Sequence, residues 1–67
     1  MKQVYVKYNN KIILADYWTL DELESEPEFY DSIKYLGIGY NPTTNEKYDV
    51  YYDYEGECAI AAPYIGG

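Results

Sequence analysis

The sequence predicts an α+β fold: a small antiparallel sheet of four to five strands, in the order ββαβββ, with one short or broken helix packed on one face. Three observations carry that expectation. Two stretches, Gln3 to Tyr8 and Glu46 to Tyr54, alternate with the period of a half-buried strand. Between them, Thr19-Leu-Asp-Glu22 has the Thr-x-x-Glu spacing of a helix capping box. The joints are built from Asn, Gly and Pro, the residues that punctuate a chain.

In the first strand Val4, Val6 and Tyr8 point one way, Tyr5 and Lys7 the other. Asn9-Asn10 then supplies two residues that tolerate positive φ, the chemistry of a tight hairpin turn. Lys11 to Tyr17 follows as a second strand, with Ile12, Leu14 and Asp16 on one side. After Thr19 a helical turn is expected over residues 20–25, with Asp21 and Glu22 at its favourable positive end. Pro27 stops that turn but suits the first turn of another, and Ser25-x-x-Glu28 repeats the capping spacing. Phe29, Ile33 and Leu36 fall on one helical face, and Gly37 is a natural residue to end it. Residues 19–36 therefore read as one broken helix or two short ones.

Ile38 to Tyr40 reads as a brief strand and Asn41-Pro42-Thr43-Thr44-Asn45 as a turn. The Glu46 to Tyr54 strand sets Tyr48, Val50, Tyr52 and Tyr54 on one face, with Tyr48 and Tyr52 expected in the core. Lys47, Asp49, Tyr51 and Asp53 take the other face. Glu55-Gly56 reads as a tight turn. Glu57 to Tyr64 closes as a strand of small apolar residues against which a helix packs closely, and Pro63 and Gly66-Gly67 mark its end. No repeat or linker divides residues 1–67, so one domain is expected.

A chain of 67 residues has room for one core, and at this size folding buries only about 60% of the exposed surface. Cys58 is the only cysteine, so no internal disulfide is available, and the lack of histidine or a second thiol argues against a zinc site. The aromatic supply is eleven Tyr with one Phe and one Trp. Tyr buries a ring while leaving a hydroxyl for water or a partner. A hydrophobic content of 48% separates the chain from disordered acidic sequences. Twelve carboxylates face five lysines and no arginine, giving a net charge of −7. That balance disfavours direct binding to nucleic acid or an anionic membrane and favours a basic partner. No apolar run approaches a membrane span, and Met1-Lys2-Gln3 leads into a strand pattern rather than a signal peptide. The expected location is the cytoplasm, a host cytosol if the chain is phage-encoded.

The sequence offers no Ser/Cys–His pairing, and Gly37-Ile-Gly39 lacks the third glycine and the βαβ setting of a phosphate loop. A carboxylate acid–base pair needs opposed environments in a cleft, and abundant carboxylates are more often simply solvated. Asp53, Glu55 and Glu57 lack the Asp-x-Asp-x-Asp-Gly pattern of a calcium loop. Cys58 lies in an apolar stretch without a nearby cation and reads as a small buried hydrophobe. The expectation is a binding protein and not an enzyme, with no metal or cofactor.

The sharpest feature is an acidic tract. Between Ile12 and Ile33 lie Asp16, Asp21, Glu22, Glu24, Glu26, Glu28 and Asp31, with no positive residue among them. A second group, Glu46, Asp49, Asp53, Glu55 and Glu57, is diluted only by Lys47. An ordinary solvated helix face mixes Glu with Lys four residues apart; this tract carries like-charge repulsion without such pairing. In these respects the chain resembles the small DNA-mimic inhibitors that bacteriophages make against host defences: anti-CRISPR proteins, antirestriction proteins and uracil-DNA glycosylase inhibitors. The resemblance is one of type: short, acidic, aromatic-rich, cysteine-poor, a sheet with a short helix. It implies stoichiometric occlusion of a basic nucleic-acid-binding surface on a nuclease or effector complex, a CRISPR effector foremost, by a monomer or weak dimer without a cofactor. Asp21, Glu22, Glu24, Glu26, Glu28 and Asp31 would supply the field, while Asp49, Tyr51, Asp53 and Glu55 would anchor the contact. Two other readings stand beside it: an adaptor subunit pairing through its sheet edge or tyrosine face, and an immunity protein or antitoxin.

Overall fold

Asn9 and Asn10 sit at φ 52° and 62°, the left-handed pair that a two-residue hairpin turn requires. They join β1 (Lys2–Tyr8) to β2 (Lys11–Tyr17) in antiparallel register, Lys2 opposite Tyr17 and Tyr8 opposite Lys11. The chain continues through α1 (Leu20–Ser25), a 3₁₀ helix (Pro27–Ser32), β3 (Ile33–Tyr40), β4 (Lys47–Asp53) and β5 (Cys58–Pro63). These elements come from a computed structural model that describes residues 2–65; Gly66-Gly67, expected as an end signal, lies outside them.

The strands close into a barrel in the ring order β1-β2-β5-β4-β3. The expected α+β fold with an open antiparallel sheet is therefore corrected to a mostly-β fold carrying only short helical pieces. The main departure is in β3. Ile33 and Leu36, which share a helical spacing with Phe29, belong to a strand paired with β4 from Ile33 opposite Asp53 to Tyr40 opposite Lys47. Gly37 ends no helix; it sits at φ 139° where the register shifts between Tyr35 and Gly37. A bulge adds one residue and resets the alternation of a strand, so its apolar positions imitate a helical period. The lengthened β3 reaches β1, where Lys7 pairs with Tyr40 and completes the ring. A ring of five strands cannot be antiparallel at every junction. One pair must run parallel, and here it is β2 with β5, from Ala15 opposite Ala59 to Tyr17 opposite Ala61.

The barrel interior is filled by Val6, Ala15, Tyr48, Val50 and Ala61, with Val4, Tyr8, Ile13, Tyr17, Leu36 and Ala59 packed around them. Ile12 and Leu14 take the outer face of β2 and are 60% and 48% exposed. Tyr48 is buried as expected, whereas Tyr52 is only half-buried. A second cluster lies outside the barrel: Trp18, Leu23, Ile60 and Ala62, joined by Phe29, Tyr51 and Cys58. Trp18 stacks on Phe29 with ring centroids 4.3 Å apart. Its Nε1–H is buried without a hydrogen-bond acceptor, a loss of about 1–3 kcal/mol that the apolar packing must offset. β5 thus buries both faces, Ala59 and Ala61 inward and Ile60 and Ala62 outward. Strands buried on both faces read as continuous apolar runs, which accounts for the sequence from Cys58 to Ala62.

Closure depends on Gly39. A Cβ there would lie 2.5 Å from Val6 Cγ1, 3.0 Å from Val50 Cγ2 and 3.1 Å from the Lys7 carbonyl oxygen. Next to it, the Tyr8 hydroxyl donates to the Leu36 carbonyl at 2.8 Å and stitches β1 to β3. Gly39→Ala is expected to lower stability by about 1–3 kcal/mol through overpacking. Chemical denaturation checks this, and an unchanged midpoint would show that the seam tolerates a side chain.

Candidate partner-binding site: an acidic layer over the last strand

Thr19 starts α1 through a complete capping box. Its hydroxyl oxygen accepts from the Glu22 N–H at 3.2 Å, and the Glu22 carboxylate accepts from the Thr19 N–H at 3.3 Å. Leu23 is the buried anchor of this short helix, so Asp21, Glu22 and Glu24 face solvent. The second expected cap does not form. Ser25 Oγ donates instead to the Glu22 carbonyl at 2.8 Å, and the 3₁₀ helix follows Glu26 with no side-chain cap. Pro27 occupies its first turn, as its missing N–H permits. Phe29 pins this piece under Trp18, leaving Glu26, Glu28 and Asp31 exposed. Neither helical piece has a basic residue in its last turn.

The turn after β4 joins the layer. Tyr54 N–H donates to the Ser32 carbonyl at 2.9 Å, and the Asp53 carboxylate accepts from the Glu55 N–H at 3.0 Å. The positive φ in this turn falls on Glu57, at 53°, and not on Gly56. Glu55, next to the Tyr54 that is tied to Ser32, lines an open depression together with Glu26 and Glu28, beside Pro27 and Phe29. Two acidic groups far apart in sequence thereby share one surface.

The remaining expected contact residues are placed differently. Asp49 is half-buried on β4 and accepts a hydrogen bond from the Tyr35 hydroxyl at 3.2 Å. Tyr51 is half-buried against the outer cluster and meets Tyr35 edge to face at 5.3 Å, so it supports the helical layer as well as showing an edge. Asp53 is half-buried and spends one oxygen on its turn. Tyr30 and Tyr54, absent from the expected set, are 48% and 58% exposed and flank the acids. The signal was present in sequence: Tyr30 precedes Asp31, and Tyr54 lies between Asp53 and Glu55.

Among the described residues, no three His, Cys, Asp or Glu side chains form a group that could hold a metal ion. The Cys58 thiol donates to the Asp16 carboxylate at 3.5 Å. Burial, then that hydrogen bond, then the charges of Asp16 and Asp53 raise its pKa above the ordinary 9.0, which keeps it a thiol. No described helix is long and apolar enough to cross a membrane. No known protein family, curated protein or solved structure matches the chain.

Burial also raises the Tyr17 and Tyr51 pKa values above the ordinary 10.0, with Glu46 adding to the shift at Tyr17 and Asp49 at Tyr51. For each of these groups the folded chain holds its proton more tightly than the unfolded chain. Their contribution to stability is whole below the unfolded values and is lost as pH rises through the raised folded ones. The denaturation midpoint is expected to fall as pH climbs past about 9–10, where free Cys and Tyr begin to ionise. Tyrosinate absorbance of the folded chain should lag that of the denatured chain; coincident curves would contradict this.

Proposed function

We propose that this chain is a stoichiometric protein inhibitor that occupies the basic nucleic-acid-binding surface of another protein by imitating nucleic-acid charge. The target class suggested by the resemblance is a host defence complex, with a CRISPR effector first among the candidates. One observation carries the reading: the exposed carboxylates Asp21, Glu22, Glu24, Glu26, Glu28 and Asp31 lie in a stretch of sequence that holds no lysine or arginine, and the fold brings Glu55 beside Glu26 and Glu28. A duplex presents one phosphate charge about every 1.7 Å of its axis, and a groove built for that density attracts a comparable carboxylate array. The array is held in place before binding, because the capping box, Leu23 and Phe29 fix both helical pieces on β5. Preorganisation lowers the entropy lost on association, and complementary fields speed the encounter. Tyr30 and Tyr54 supply amphipathic rings at its margin, the residue type that often anchors interfaces. The proposed activity needs no catalytic group.

The test titrates the purified protein into guide-loaded CRISPR effectors and restriction endonucleases carrying labelled target duplex, and follows DNA displacement. Displacement is expected to weaken steeply as salt rises from about 50 to 200 mM, as phosphate-like contacts do. The triple variant E24K/E26K/E28K, with its fold checked by circular dichroism, is expected to lose about 100-fold or more in affinity. Undiminished binding by that variant at physiological salt would sink the mimicry reading.

A further inference from the structure

The ring order places the β1–β3 seam across the barrel from β5, and therefore on the opposite side from the acidic layer. The outer surface at that seam is unlike the rest of the molecule. Ile12, Lys7, Tyr40 and Lys47 form one row across β2, β1, β3 and β4, because Lys7 is opposite both Ile12 and Tyr40, and Tyr40 is opposite Lys47. The pair Leu14 and Tyr5 flanks that row on one side, and Ile38 with Asp49 flanks it on the other. Tyr5 and Ile12 are each 60% exposed, Ile38 50%, Leu14 48% and Tyr40 39%. Together they leave on the order of 500 Å² of apolar side chain facing water, near the upper end for the largest patch of a monomer.

We infer that this face is the interface of a two-fold symmetric dimer, with a second copy of the chain as its occupant. Two quantities favour a second copy. A stable interface covers about 800 Å² per partner, and in homodimers about 65% of it is apolar, which is what this patch and its rim supply. The second is charge. Two chains of net charge −7 can meet closely only where carboxylates are sparse, and this face turns the helical acids away from the contact. Its charges are also self-complementary. The Lys47 ammonium lies over the Tyr64 ring at 5.8 Å, and Asp49 accepts the Tyr35 hydroxyl on its Oδ1 alone; the cation Lys7 and the anion Asp49 stand on opposite sides of Tyr40 and Ile38. A two-fold axis between those two side chains sets Lys7 of each copy against Asp49 of the other. The two acidic layers then point outward at opposite ends of the dimer. This inference rests on a different surface from the proposed inhibitor activity and stands or falls separately.

Sedimentation equilibrium of the purified chain tests it. The expected result is a reversible dimer that dominates at about 100 µM, a hundredfold above a micromolar Kd. Leu14→Glu and Ile38→Glu change exposed positions, so they should leave the circular dichroism spectrum intact while weakening the dimer at least about tenfold. Lys7→Glu and Asp49→Lys should each weaken it as well, and an equimolar mixture of those two variants should recover the dimer mass. A wild-type chain that stays monomeric at the highest concentration overturns the inference, including the case in which this face instead captures a different protein. A dimer that survives both L14E and I38E overturns it too, since the contact must then lie elsewhere.

Discussion

The fold depends on one close approach: the backbone of Gly39 pressed between Val6, Val50 and the carbonyl of Lys7. β1 and β3 share only the pairing of Lys7 with Tyr40, and that pairing requires β3 to come within reach of β1 at the next residue. A side chain at Gly39 would hold the two strands apart. With the seam closed, five short strands enclose an interior that Ala15, Ala59 and Ala61 keep narrow enough to fill. An open sheet of the same strands would leave one face of Val6 and Val50 to the solvent. The Tyr8 hydroxyl on the Leu36 carbonyl closes the ring a second time, using an acceptor that the bulge turns toward β1.

Closure also decides where the charge goes. Because β5 is shared between the interior and the outer cluster, the acidic helical pieces inherit their position from the barrel wall and not from their own stability. α1 is only six residues long, well short of the length at which a helix holds itself together in water. Its carboxylates repel one another, and no basic residue in its last turn relieves them. Leu23, Trp18 and Phe29 must therefore hold the layer against that repulsion. The opposite wall of the barrel carries the exposed apolar side chains around Lys7, so the same ring sets the helical acids on one side and Tyr5, Ile12, Leu14, Ile38 and Tyr40 on the other.

Local chemistry was legible in the sequence wherever a short segment decides its own conformation. The Asn9-Asn10 turn, the Thr19 capping box and Pro27 at a helical first turn all rest on neighbours within a few residues. Closure was not legible, because it rests on Gly39 meeting Val6 and Val50 from distant parts of the chain. The helical reading of Ile33 and Leu36 failed for a related reason: a bulge at Leu36, between Tyr35 and Gly37, gives a strand the apolar spacing of a helix. Within the candidate site, the exposure of the 21–31 acids followed from their number and from the single apolar anchor per turn. The meeting of Glu55 with Glu26 and Glu28 did not, since it depends on the Tyr54 N–H reaching Ser32.

The tyrosines change meaning once the barrel is known. In an interior this narrow, an aromatic ring that starts inside must end near the surface, and a hydroxyl at that end is better solvated than a ring edge. Tyr8 and Tyr17 fit that description, half-buried and packed against the interior cluster. Among the eleven only Tyr48 is fully buried. A high tyrosine count is therefore in part a requirement of a small closed barrel, and it weighs less as a sign of binding than it does in an open sheet. The carboxylates gain what the tyrosines lose. Nothing in the packing of the barrel requires Glu24, Glu26 or Glu28, all exposed and none of them part of either apolar cluster. Their concentration on one side is the feature on which the proposal of a basic partner rests.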